Sequence, residues 1–141
     1  MKQTLRLCLL CILIFVNGSC SAWAGDSQVA GVWTASMHNQ PCIKLTVHDS
    51  GGQLSGKIIF YLLVLEDGTW RVKGNDEVAL IHPRLENNAF VFEVVHAKKH
   101  GSTDPANQEL KTFRMELTGR NEGVFKNAIE GQDLILTRLA E

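Results

Sequence analysis

From Gly31 onward, apolar and polar residues alternate with the period of two that places side chains on opposite faces of a strand. Ile43, Leu45 and Val47 share one face of Cys42 to His48, and Lys44, Thr46 and His48 share the other. Ser50-Gly51-Gly52 turns the chain, and Leu54 to Phe60 returns as the second arm of a hairpin. Ile58 to Leu65 is apolar throughout, which predicts either a strand covered on both sides or two strands meeting at a bend. Asp67-Gly68 predicts a further turn before Trp70 to Val72. In Phe90 to His96, Phe90, Phe92 and Val94 point one way, and Val91, Glu93 and Val95 the other. Thr112 to Leu117 alternates most clearly, with Phe113, Met115 and Leu117 facing in. Gly119 to Gly123 and Gly131-Gln132-Asp133 frame the last two strands. This pattern predicts eight or nine strands and no helix. The polar segment Ala97 to Glu109 has no strand pattern and reads as a long loop.

The first residues follow a different pattern. Lys2 and Arg6 precede an unbroken apolar run, Leu7 to Val16, of signal-peptide length and too short to span a bilayer. Ala22-Trp23-Ala24 offers small residues at alternate positions, which places cleavage after Ala24. The expected division is a signal peptide, 1–24, and one domain, 25–141, secreted or periplasmic. The competing reading is a lipoprotein acylated at Cys20, where Asn17 stands in place of the usual aliphatic residue. No second apolar run is long enough for a membrane span.

Removing the leader changes the cysteine and charge counts. Cys8, Cys11 and Cys20 are lost with it, and Cys42 alone survives, so no intrachain disulfide can staple the domain. Apolar neighbours predict burial of Cys42 as a small hydrophobe. Loss of Lys2 and Arg6 leaves 12 basic against 15 acidic residues. That balance has no basic stripe and argues against a nucleic-acid partner.

Chemistry is sparse. His96 and His100 are four apart, a metal spacing on a helix, but here they leave a strand and enter a loop. Asp49, Glu66, Asp67, Asp76, Glu77 and Asp133 fall in or beside predicted turns, where backbone reasons favour acids. Ser55 and Ser102 lack a nucleophile elbow, and no Gly-rich loop leads from a strand into a helix. The sequence nominates no catalytic residue, no metal ligand and no cofactor, and it is not read as an enzyme. Lys98, Lys99 and His100 form a small basic cluster whose default is a solvated loop.

Gly31-Val32-Trp33 on the first strand and Arg138 on the last resemble the signature of the lipocalin-like (calycin) superfamily. The resemblance implies a single antiparallel up-and-down β-barrel of about eight strands, with Trp33 closing one end and Arg138 packed over it. A guanidinium over an indole gains a cation–π contact. Gly31 to Gly56 also looks like the first hairpin of avidin-type barrels. Trp33 and Trp70 are the only tryptophans after the leader, however, so biotin binding is not carried over. The whole domain is similar to small secreted bacterial proteins with lipocalin-like barrels and no assigned activity.

Two functions follow as expectations. The first is a binding protein that holds a small apolar ligand inside the barrel, with Tyr61, Phe90, Phe92, Phe113 and Met115 as candidate ligand contacts. The loop 97–109 would gate it. The second is a filled barrel that acts through protein–protein contacts made by its loops, for which 97–109 is the candidate surface.

Overall fold

Side-chain alternation is realised in nine strands, seen in a computed structural model that describes residues 28–97, 103–129 and 131–140. The leader, Cys20, Lys98, Lys99, His100 and Ser102 lie outside the described residues. The strands are β1 (Gly31–Met37), β2 (Gln40–Ser50), β3 (Gln53–Glu66), β4 (Thr69–Ala79), β5 (Ile81–Glu86), β6 (Ala89–Ala97), β7 (Gln108–Gly119), β8 (Glu122–Ile129) and β9 (Gln132–Arg138). A single 3₁₀ turn, Pro105–Asn107, precedes β7; Asp104 caps it by accepting the Ala106 N–H at 3.0 Å.

The turns carry the residues their backbones require. Asp67 and Gly68 both have positive φ, as do Asn87 and Asn88. This is the two-residue hairpin geometry that Asp, Asn and Gly tolerate. Asp49 accepts the Gly52 N–H at 2.7 Å and fixes the Gly51-Gly52 turn.

All strands belong to one antiparallel sheet in the order β4-β3-β2-β1-β9-β8-β7-β6-β5. Every neighbouring pair is adjacent in sequence except β1 and β9, which meet through Trp33↔Arg138 and Thr34↔Thr137. The sheet is not closed by hydrogen bonds: β4 and β5 form its two edges. Eight antiparallel steps separate these edges, so they run in the same direction. Leu80 joins them without reversing the chain and donates its N–H to Gly56 O at 3.0 Å.

The sheet is strongly rolled. In a flat sheet β3 and β7 would stand about 24 Å apart, yet the rings of Phe60 on β3 and Phe113 on β7 lie 5.7 Å apart. The concave face is therefore the core. It holds Ile43, Leu45, Val47, Phe90, Phe92, Val94, Phe113 and Met115, all placed inward by their alternation.

Three expectations need correction. The segment 97–109 is not a loop throughout: Ala97 ends β6 and Gln108 and Glu109 open β7, paired as Ala97↔Gln108 and His96↔Glu109. Ile58 to Leu65 is part of one continuous strand and is not covered on both sides, since Leu62 is 54% and Leu65 57% exposed. The β3–β4 hairpin extends past the end of the core. Asp76 and Glu77 are not in a turn but within β4, a strand with no buried residue.

Asp133 is held on the outer surface by Lys126 Nζ at 2.8 Å and by the backbone N–H of Asn127 at 3.0 Å. Those two donors, the ammonium first, hold its carboxyl below the usual range. Stability from Asp133 is therefore complete above the ordinary carboxylate pKa and lost as pH falls through the lowered value. An NMR carboxyl titration should place the Asp133 midpoint below the ordinary aspartate value, and Asp133→Asn should flatten the acid limb of the stability profile. A normal midpoint would contradict the assigned contacts.

Candidate functional site

The two ends of the rolled sheet differ in chemistry. At one end Trp33 is fully buried and donates its Nε1–H to Val29 O at 2.8 Å. The Arg138 guanidinium carbon lies 4.5 Å from the Trp33 ring centroid, and Arg138 Nη2 donates to Gln28 O. Gly31 has φ 127°, a conformation that only glycine adopts readily, and this brings the backbone past the aliphatic part of Arg138. Gly31, Trp33 and Arg138 are thus brought together. The depressions beside them, about 520 and 830 Å³, include Asn88 and Arg120 or Asp49 and Asn121 in their walls and are largely polar.

The other end holds the apolar depression. Its volume is about 480 Å³; Met37, His38 and Cys42 come from the first hairpin, Tyr61, Leu62, Leu63 and Trp70 from the second, and Ile129 and Gln132 from β8 and β9. None of these nine residues is Asp, Glu, Lys or Arg. The β1–β2 turn places His38 at φ 53°, and its ring stacks on Trp70 at 4.3 Å with 5° between planes. That stack ties the turn to the start of β4. His38, Tyr61 and Gln132 supply the polar groups on a mostly hydrocarbon and aromatic wall.

Between the ends, the interior is filled by rings. Phe92 lies 5.3 Å from Phe90, 5.8 Å from Phe113 and 6.0 Å from Phe125, and Phe113 lies 5.2 Å from Phe125. Phe90, Phe92 and Met115 have no exposed surface and Phe113 has 5%. Four of the five residues nominated as ligand contacts thus pack with the shared core. Tyr61 stands apart from them, on the wall of the open depression.

His38 and Trp70 were not among the nominated residues. Each follows a readable signal, a turn with Asn39 and a turn with Gly68, but they lie on different hairpins and only the roll of the sheet brings them together.

Cys42 is 1% exposed, and burial pushes its thiol up from the ordinary value. It is a poor nucleophile here. A disulfide reagent at neutral pH should leave native Cys42 unlabelled over minutes and label it at once in denaturant; equal rates in both would show that the site opens. Among the described residues, no three His, Cys, Asp or Glu side chains converge to hold a metal ion, and no helix is long and apolar enough to cross a membrane.

The fold and site define an antiparallel all-β protein with an aromatic-lined depression at an end of the sheet, uncharged among its described residues. No protein-family profile, curated protein or solved structure matches the chain.

Proposed function

We propose that this chain is a secreted or periplasmic binding protein with a lipocalin-like barrel, taking a small apolar ligand at the open end. In this reading β5 continues the direction of β4 beyond Leu80, so the passes number eight, and the outer edge of β4 stays open where the β3–β4 hairpin projects past the core. The extracytoplasmic location rests on Leu7 to Val16 and Ala22-Trp23-Ala24. The observation that carries the binding reading is the depression of about 480 Å³ with no Asp, Glu, Lys or Arg among the described residues of its wall. Apolar area supplies affinity in such a site, and a few polar groups set orientation. The ligand sits above the phenylalanine layer rather than within it, with a ring or flat edge against Trp70 and a polar group toward Tyr61 or Gln132.

The test is native mass spectrometry of the protein purified gently from its own compartment, beside Trp70→Ala prepared in the same way. An added mass that is present natively, absent on denaturation and lost in the variant supports the reading. A bare mass for both favours the alternative, a filled barrel that works through protein–protein contacts. The observation behind that alternative is the exposed apolar surface of one hairpin, Leu62, Leu65 and Val72.

A further inference from the structure

We propose that β4 is the contact edge of a symmetric dimer, in which it pairs antiparallel with β4 of a second copy of this chain. Among the described residues no strand is hydrogen-bonded to the outer side of its 11 residues. Its successor β5 runs in the same direction and is paired to β6. An edge of this length, without proline, is a template for another strand.

Charge complementarity selects the partner. In β3, Val64 stands opposite Arg71 and Phe60 opposite Asp76. Val64 and Phe60 are four apart on one strand and share a face. The register shifts between these pairs, where β4 carries one more residue than β3, so Arg71 and Asp76 share that face although they are five apart. A two-fold axis between Lys73 and Gly74 then sets each Arg71 directly against the partner's Asp76, twice per interface. Without the extra residue this register would put the two charges on opposite faces.

The other charges of the strand are already engaged. Lys73 Nζ is 2.6 Å from Glu66, and Glu77 is 3.0 Å from Lys57 Nζ. Arg71 and Asp76 are exposed and form no ion pair among the described residues. Exposed charges usually protect an edge by repelling a second copy. Here the one basic and one acidic residue left over attract their counterparts in that copy. The dimer does not depend on the open-end ligand.

Sedimentation equilibrium of the purified protein tests this, with Arg71→Glu and the swap Arg71→Glu/Asp76→Arg as variants. Because both sites are exposed, circular dichroism should show all three proteins equally folded. The expected result is a monomer–dimer equilibrium that Arg71→Glu weakens about tenfold, through two like-charge pairs across the strands, and that the swap restores to within about threefold. A parent protein that stays monomeric overturns the proposal. So does a dimer indifferent to Arg71→Glu, or a swap that fails to restore pairing.

Discussion

Phe92→Ala is expected to lower the unfolding free energy by about 3–5 kcal/mol, read as a lower urea midpoint at unchanged slope. Phe92 is fully buried and is the ring that touches Phe90, Phe113 and Phe125 together. Its loss removes the transfer energy of a benzyl group and leaves a hole bounded by the remaining rings, which the rigid β6–β7 and β8–β9 ladders cannot close. Leu110→Ala is the control: Leu110 is 60% exposed and should cost no more than about 0.5 kcal/mol. A cost below about 1 kcal/mol at Phe92 would mean an interior with slack. The proposed ligand would then belong within the rolled sheet rather than at its end.

Gly56→Ala is expected to be comparably damaging, about 3 kcal/mol or more. A methyl group there would overlap the Thr46 carbonyl oxygen and stand 3.2 Å from Leu80 Cδ1. Thr46 lies on β2, beside the Val47↔Gly56 pairing, and its carbonyl cannot retreat without parting β2 from β3. The same glycine accepts the Leu80 N–H, so the displacement reaches the point where the chain passes from β4 to β5. Hydrogen exchange should show lost protection at Leu80 before the amides of β4. Tolerance within about 1 kcal/mol, with Leu80 still protected, would show that the close approach is not required.

The strands were legible because their signal is local. Ile43, Leu45 and Val47, or Phe113 and Met115, each declare their face within a few residues, and the Asp67-Gly68 and Asn87-Asn88 turns are written in residues that accept positive φ. The Trp33–Arg138 contact was also legible, through a resemblance that named both ends of it. The reach of β4 was not. Asn75, Asp76 and Glu77 look like turn residues, and they sit in a strand because β3 hydrogen-bonds them on one side while both faces meet solvent. Propensity gives way there to pairing. The interior rings were readable as inward but not as mutually touching. Phe60 meets Phe113 only because the whole sheet rolls, a property of no single segment. The His38–Trp70 stack was hidden for the same reason.

The strand order has a kinetic meaning. Reading from β5 to β4, the sheet is a plain meander cut between β9 and β1, so all but one of its ladders form between neighbours in the chain. The entropy of closing a long loop falls on a single short ladder, Trp33 and Thr34 against Arg138 and Thr137. That ladder holds the buried indole and the guanidinium above it, so the costliest encounter in the search is also the one with the most specific reward. The two meanders, β1–β4 and β5–β9, hold only local ladders, and the Trp33 ladder together with the Phe60–Phe113 contact joins them around one core.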